Sequence, residues 1–329
     1  MTEKLILPNE KPDIVYFGEK GYLQLLADIM EHGSNTPDRT GVGRKKLFER
    51  FLRFDLRDGF PAFTVRNTQP KPAFKEFWLF LNGELDVHTK LSAEGINFWK
   101  GNTSREFLDA RGLEKLPVGH IGKSYSFQIR NFGGDYDENF NAIGGTDQLS
   151  NIYNTLKNNP YDSRIMLSMW NPEQEHEMSL PPCWWGHQFL VTIDKNGNNV
   201  LNLSVNSRSA DLLFGCPYNV PQYAIYLAAM AKAHNMIAGE FSCRFTDVHI
   251  YGKDGDLDRP QSENNPASQF RYVKETLSRE YSDEKVTLKF NKDLNSLEDI
   301  LSLKFEDLEF INYNPNLTKY VETRPQMAV

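Results

Sequence analysis

The sequence contains few cysteines and no long apolar run. Three cysteines occur in 329 residues, and none of them forms a Cys-x-x-Cys pair, so neither a disulfide framework nor a metal site is predicted. No apolar stretch approaches the roughly 20 residues that cross a bilayer, and the first residues lack the apolar segment of a signal peptide. We therefore expect a cytoplasmic protein without a membrane partner, in the host cytoplasm if a virus encodes the chain.

Basic residues are also scarce relative to acidic ones. The chain has 37 Lys and Arg against 44 Asp and Glu, for a net charge of −7. A polymeric nucleic acid needs a basic surface, so we expect no such partner. A small anionic substrate remains compatible with this charge, because it needs only a local cluster of arginines.

The organisation of the chain indicates an α+β protein. There are no repeats and no low-complexity linker; residues 1–18 predict an extended arm, and the remainder predicts one domain around a large sheet. Apolar spacing predicts helices, alternation predicts strands, and Asn196-Gly197 predicts a hairpin turn. The predicted helices are 22–32, 73–81 and 221–236, the strands are 164–170, 187–193 and 200–205, and the polar loops are 133–148 and 252–268.

One cysteine is followed in the sequence by polar residues that could take part in catalysis with it. Cys183 ends the motif Leu-Pro-Pro-Cys, and Arg208, Asp211 and Asn219 follow it after 25 or more residues. A free cysteine is usually a small buried hydrophobic residue, so the motif alone does not identify a nucleophile. Together, however, a thiol, a cation, a carboxylate and a carboxamide can attack a polarised ring while holding an anion.

Glu76 has two interpretations. It lies in an almost wholly apolar segment, where burial would raise its pKa unless the carboxylate is paired. Alternatively, it lies on the one solvated stripe of the helix beside Lys75.

The remaining polar candidates are ambiguous when each is taken alone. Arg39, Arg164 and Arg208 lie at element boundaries, yet a surface arginine usually only solvates the protein. Alternation over 247–251 places His249 and Tyr251 on one face of a strand, and that face could equally be exposed to water.

Ordered blocks along the chain resemble the thymidylate synthase family. The resemblance extends from about Tyr22 to Val329. The matching blocks are DRTGVG (38–43), LRDGFP (56–61), KEFWLFLNG (75–83), GINFWKGNTSREFLDARG (95–112), YSFQIRNFGG (125–134), LPPC (180–183), SRSADLLFGCPYN (207–219), DVHIY (247–251), YNP (313–315) and the terminal Met-Ala-Val.

The resemblance implies a fold, a reaction and partners. It implies a single catalytic domain over 19–329, with a large mixed sheet flanked by helices and a sheet face that forms a homodimer interface. It also implies dUMP as substrate, 5,10-methylenetetrahydrofolate as co-substrate, and reductive methylation to dTMP.

The resemblance assigns a role to each candidate. Cys183 would add to C6 of the pyrimidine, Glu76 would organise the water network, and Tyr125 would assist removal of the C5 proton. Asn219 would read O4 and N3 of the ring, and Asp211 would count among both the catalytic and the folate-binding residues. The remaining dUMP contacts would be Arg39, Arg208 and Ser209 on the phosphate, Arg164 from the partner subunit, and His249 and Tyr251 on the ribose. The remaining folate contacts would be Trp99, Asn102, Leu213, Gly215, Tyr218 and Ala328.

Several departures from the family pattern keep two alternatives open. Trp184 stands where the family usually has histidine, Ser163 replaces the first of an arginine pair, residues 64–70 differ, and the tail before Met327 is longer. These changes are compatible with a dUMP hydroxymethylase, in which water replaces hydride at the last step. A non-catalytic nucleotide-binding homologue is a second alternative.

Overall fold

The helices and strands of the computed structural model are given for residues 6–38, 40–258 and 267–320, which the structure describes. The helices are α1 Gly18–His32, α2 Pro70–Leu81, α3 Val87–Ser92, α4 Arg105–Ala110, α5 Tyr125–Asn131, α6 Gln148–Asn158, α7 Cys216–Ala233, α8 Phe270–Leu277 and α9 Leu297–Leu301. The strands are β1 Val15–Phe17, β2 Ser34–Thr36, β3 Arg44–Asp55, β4 Asp135–Tyr136, β5 Ala142–Ile143, β6 Met166–Ser168, β7 Trp184–Ile193, β8 Asn199–Ser207, β9 Ala210–Asp211, β10 Ile237–Tyr251, β11 Thr287–Phe290 and β12 Leu308–Ile311.

A large mixed sheet organises the fold, as the sequence predicted. Its strand order within the described residues is β1-β3-β10-β8-β7-β6, with β2 added beside β3 and β9 beside β10. The β1–β3 and β8–β10 pairs are parallel, whereas β3–β10, β7–β8 and β6–β7 are antiparallel. The carboxyl end of β8 therefore lies beside the start of β7, and this is the end of the sheet where Cys183 enters β7.

Helices α1 and α7 pack on the sheet and α2 packs on α7, and together they build the core. Helix α7 packs against β8 and β10, α2 packs against α7, and α1 packs against β3. The buried face of α7 includes Tyr223 and Tyr226, each at most 2% exposed, and they lie in one apolar cluster with the inward residues of the sheet. The central position of α7 explains why its sequence is apolar almost all round.

Helix boundaries differ from the predicted ones for local reasons. Helix α7 begins at Cys216 rather than 221, because Pro217 occupies a first-turn position where no backbone N–H is required. It ends at Ala233 rather than 236, since Asn235 has a left-handed φ of 53°. Similarly, α2 begins at Pro70 rather than 73.

The loop and strand predictions were partly right. The turn at Asn196-Gly197 is a hairpin that joins β7 and β8, and Gly197 has the positive φ that such turns require. The predicted strand 164–170 shortens to β6, and the predicted loop 133–148 contains the short pair β4–β5. Within the predicted arm, residues 15–17 form β1 of the sheet.

One face of the sheet is not covered by any helix in the described ranges of the chain. Leu190 and Met166 are 49% and 55% exposed, and Ser204, Ser242 and Arg244 on neighbouring strands are exposed or half-buried. Their register places these residues on the face opposite α7.

Candidate active site around Cys183

Cys183 is the accessible thiol of this chain. It precedes β7 and is half-buried, whereas Cys216 and Cys243 are at most 1% exposed. Burial raises the pKa of both of those thiols far above the ordinary value of a cysteine. A thiolate is the reactive form of cysteine, so Cys183 is the candidate nucleophile among the three.

Arg208 is fixed beside Cys183 although 25 residues separate them. Its backbone N–H donates to the Cys183 carbonyl (2.9 Å) because β7 and β8 are neighbours. Its guanidinium donates to the carbonyls of Pro182 (3.0 Å) and Pro181 (2.8 Å) and lies over the ring of Trp170. A cation held against the Pro-Pro-Cys loop favours both a thiolate and a bound anion.

Tyr125 contacts the same loop from the first residue of α5. Its hydroxyl oxygen accepts the backbone N–H of Cys183 (2.8 Å), and its ring stacks on Phe80 with 4.9 Å between centroids. Burial, reinforced by the nearby Cys183, raises the pKa of Tyr125 far above its ordinary value. The phenol therefore keeps its proton at neutral pH and can donate it in a hydrogen bond.

Glu76 is buried, which decides between the two interpretations of the sequence. It is 9% exposed, its Oε1 accepts from Trp99 Nε1 (2.7 Å), and its Oε2 accepts from Gln222 Nε2. Burial raises the pKa of Glu76, although these two hydrogen bonds oppose the rise. Lys75 points elsewhere and pairs with Glu94 (2.8 Å).

Gln222 is a site residue that was missed in the sequence. It lies three residues after Asn219 on α7, so both side chains share one face of the helix. Its Oε1 accepts from Asn219 Nδ2 (3.1 Å), and it is 2% exposed. A polar residue inside an otherwise apolar helix was the available signal, the same one that identified Glu76.

A small cavity of about 60 Å³ joins these groups. Its polar lining consists of Glu76, Asn219 and Gln222. Its aromatic walls are Phe77, Phe80, Trp99, Tyr125, Trp184 and Tyr223. This volume and polarity suit a few water molecules between the carboxylate and a ring bound above them.

Trp184 forms part of the wall rather than of the polar network. It is 4% exposed, stacks on Tyr223 at 5.5 Å, and contacts Phe245 edge-on. In place of a polar side chain, the cavity therefore has a flat apolar surface at the residue after Cys183.

His249 and Tyr251 share one face at the end of β10, as the alternation predicted. Their rings are 5.2 Å apart, and His249 Nδ1 donates to Asp247 Oδ1 (2.9 Å). Burial would raise the pKa of Asp247, but the hydrogen bond from His249 and nearby basic groups lower it. The histidine ring is thus held in one orientation, with Nε2 directed away from the carboxylate.

Asp211 organises the turn into α7. Its Oδ1 accepts from the N–H groups of Leu213 and Phe214 (both 3.0 Å), and its Oδ2 accepts from Gln269 (2.8 Å). Its carbonyl also accepts the N–H of Gly215, the residue that precedes α7. These bonds hold the carboxylate rigidly in the turn that leads into α7, the helix that carries Asn219.

The other predicted folate contacts differ in their surroundings. Tyr218 packs edge-on against Phe98 at 5.1 Å, and Asn102 is 8% exposed. Leu213 is fully buried, so its side chain belongs to the core. Arg66 was not predicted; it is 5% exposed, it lies 5.2 Å from the ring of Phe214, and among the described residues it has no carboxylate partner.

One predicted residue, Arg164, is not part of this cluster. Arg164 forms a two-pronged pair with Asp162 (2.9 and 2.7 Å), and its side chain is 85% exposed. Arg39 and Ala328 lie outside the described residues.

Neither a membrane span nor a metal-binding group occurs among the described residues. No helix in the described ranges is long and apolar enough to cross a membrane. The same part of the chain holds no cluster of three or more His, Cys, Asp or Glu suited to a metal ion.

Comparison with known proteins gives consistent matches. A family model described as Thymidylate synthase matches residues 20–324. The chain is 36% identical over 307 residues to the thymidylate synthase of Saccharomyces cerevisiae, covering 91% of this chain and 94% of that protein. It is 36% identical over 314 residues to the thymidylate synthase of Candida albicans, covering 90% and 94%. The bifunctional dihydrofolate reductase-thymidylate synthase of Leishmania amazonensis is 35% identical over 302 residues, which cover 91% of this chain and 54% of that protein.

Proposed function

The chain belongs to the thymidylate synthase family, and we propose that Cys183 is the nucleophile with which it acts on dUMP. It is a folate-dependent enzyme that methylates dUMP to dTMP, with 5,10-methylenetetrahydrofolate as co-substrate. Its named relatives are thymidylate synthases, which favours dTMP formation over hydroxymethylation or non-catalytic binding. The observation that carries the proposal is the accessible Cys183 in a loop that both Tyr125 and Arg208 bind, Tyr125 at the Cys183 backbone N–H and Arg208 at the Pro182 carbonyl.

The first step needs a thiolate. C5 of uracil is not nucleophilic until Cys183 Sγ bonds to C6 and the electrons of the C5–C6 double bond move towards O4. Arg208 favours the thiolate through its positive charge and the substrate through its phosphate. At the end of the reaction the same bond breaks, because a thiolate is a tolerable leaving group.

The polar network stabilises the charge that develops on the ring. Asn219 donates to O4 and accepts from N3–H. Glu76 transfers a proton to and from O4 through water in the small cavity. Tyr125 stays protonated and assists removal of the C5 proton by holding a water molecule, rather than acting as a phenolate base.

The nucleotide's phosphate and ribose are held by residues at strand ends. We propose Arg208 and Ser209, with Arg39, for the phosphate. His249 and Tyr251 present donors and acceptors on one face to the ribose 3′-hydroxyl.

The residues around the small cavity and the turn into α7 fit a reduced folate. Trp99 and Tyr218 offer aromatic surfaces, Asp211 offers a fixed carboxylate, and Arg66 offers a buried guanidinium suited to an anionic group. When bound, the folate supplies the one-carbon group and the hydride. This chain contributes orientation and the exclusion of water, with Asn102 and Gly215 shaping the wall. The family resemblance also predicts a folate contact from Ala328.

We further propose a homodimer in which Arg164 serves the partner's site. The carbonyl of Ile165 accepts from the N–H of Phe189, six residues along β7 from Cys183 and so about 20 Å from it. An arginine side chain cannot span that distance within one chain. The uncovered sheet face around Leu190 provides the surface on which two copies would meet.

The location in the cell and the division of the chain into an arm and a domain stay predictions. We propose the cytoplasm as the location, and we keep the division into an arm over 1–18 and a catalytic domain over 19–329.

The nucleophile is tested by replacing its sulfur. Cys183→Ser should retain dUMP binding while dTMP formation falls below a few per cent, because a serine hydroxyl is rarely ionised at neutral pH. Cys243→Ala, which removes a buried thiol of β10, is the matched control and should form dTMP. Product analysis with dUMP and methylenetetrahydrofolate measures both, and substantial dTMP from Cys183→Ser would refute the assignment.

A further inference from the structure

Gln222 connects the buried carboxylate to the residue that reads the pyrimidine. Its Nε2 donates to Glu76 Oε2, and its Oε1 accepts from Asn219 Nδ2 (3.1 Å). The side chain is 2% exposed on α7, so it has no solvent-facing alternative to these two bonds. The three groups form one hydrogen-bonded line.

The chemistry of Glu76 and Asn219 decides which groups donate and which accept along this line of hydrogen bonds. An ionised carboxylate only accepts hydrogen bonds, and Glu76 already accepts from the indole Nε1 of Trp99 at 2.7 Å. Gln222 must therefore turn its amide N–H towards Glu76, which leaves its oxygen facing Asn219. Asn219 in turn must present Nδ2 to Gln222, because two amide oxygens would repel each other.

The orientation of the Asn219 amide decides which base it fits. With Nδ2 bound to Gln222, a second N–H remains for a carbonyl such as O4, and Oδ1 remains for a donor such as N3–H. Uracil presents this pattern. Cytosine presents the reverse, an acceptor at N3 and an amino group at C4, so the amide would have to rotate and lose its bond to Gln222.

We propose that Gln222 is a positioning residue that selects uracil over cytosine nucleotides by locking the Asn219 amide in one orientation. This inference rests on the proposed function, because it takes Asn219 as the residue that reads the base. Gln222 itself touches neither the ring nor the reacting atoms.

The test compares three variants by their binding of dUMP and dCMP. Gln222→Met keeps the length of the side chain but can neither donate nor accept; its preference for dUMP over dCMP should fall about tenfold, the effect of one buried hydrogen bond. Gln222→Glu keeps an acceptor towards Asn219, and a proton shared between its carboxyl and that of Glu76 replaces the amide N–H, so its preference should stay within about twofold of the original chain.

Gln128→Met is the matched control. Gln128 is fully buried and donates two hydrogen bonds, to the Lys123 carbonyl (2.8 Å) and to Gln174 (3.0 Å), without lining the small cavity. This variant should lose stability but keep the preference for dUMP. Calorimetric titration gives both affinities for each protein, and kcat/KM for dTMP formation from dUMP is measured alongside.

The outcomes separate the two proposals. Equal weakening of dUMP and dCMP in Gln222→Met, or an unchanged ratio, would overturn the role of Gln222 while the original chain still forms dTMP. A loss of preference in Gln222→Glu as large as that in Gln222→Met would also overturn it. If the original chain neither binds dUMP nor forms dTMP, the proposed function fails, and the role of Gln222 fails with it.

Discussion

Glu19 should make the stability of this protein fall as the pH rises through neutrality. The side chain extends from the first turn of α1 to the segment that leads into α2. Its Oε1 accepts from the N–H groups of Thr64 (2.6 Å) and Val65 (2.7 Å), and its Oε2 accepts from the Thr64 hydroxyl (2.7 Å). Burial nevertheless raises the pKa of Glu19 from 4.5 to about 7.

The sign and size of the effect follow from linkage. Below pH 4.5 the carboxyl is protonated in both states, so the contribution of Glu19 to stability is fully present there. As the pH rises towards 7, the unfolded chain releases the proton and the folded chain retains it, so the free energy of unfolding decreases. At about 1.4 kcal/mol per pKa unit, the rise from 4.5 to about 7 gives a total loss of about 3.5 kcal/mol.

Glu19→Gln should remove this pH dependence with little change in shape. The amide oxygen can accept from both backbone N–H groups, and the amide nitrogen can donate to the Thr64 hydroxyl. Urea unfolding at fixed protein concentration should show the variant gaining about 2–3 kcal/mol relative to the original chain between pH 5 and pH 8.

A control and a contrary result define the test. Glu306→Gln, at an exposed position, should show no such gain. A Glu19→Gln difference that is the same at both pH values would refute the reasoning, since it would mean that the carboxyl is ionised in the folded protein throughout this range.

Three further predictions concern other positions. Mixing Cys183→Ser with Arg164→Ala protomers should restore about a quarter of the activity, because half of the dimers would be mixed and each would hold one intact site. If mixed dimers form and no activity returns, Arg164 does not serve the partner's site. Asn219→Asp should shift preference towards dCMP by about tenfold or more, and an unchanged kcat/KM ratio for the two nucleotides would count against its role. Burial lowers the pKa of His187 to about 3, so the stability that the neutral ring contributes above pH 6.5 is lost as the pH falls. The free energy of unfolding of His187→Phe should therefore gain about 2 kcal/mol over that of the original chain between pH 7 and pH 5. An equal difference between the two proteins at both pH values would contradict this.

The sequence by itself determined the elements that depend on local pattern. Apolar spacing located α1, α2 and α7, and Asn196-Gly197 located the hairpin, because both signals act over a few neighbouring residues. Motif content also indicated the family before any contact was known, since Cys183 and Arg208 occur in recognisable blocks. Among the predicted helices, errors were confined to the ends, where capping by residues such as Asn235 outweighs the average pattern.

The tertiary structure alone decided which polar groups meet. Glu76 had two interpretations until Trp99 and Gln222, 23 and 146 residues away, proved to be its partners. Local pattern did not separate Arg164 from Arg208, and only the family resemblance assigned them to different subunits. Strand register places the first about 20 Å along β7 from the thiol and the second beside it. These contacts form between segments that are distant in the chain. Local periodicity reports only on neighbouring residues, so it cannot predict which distant side chains meet.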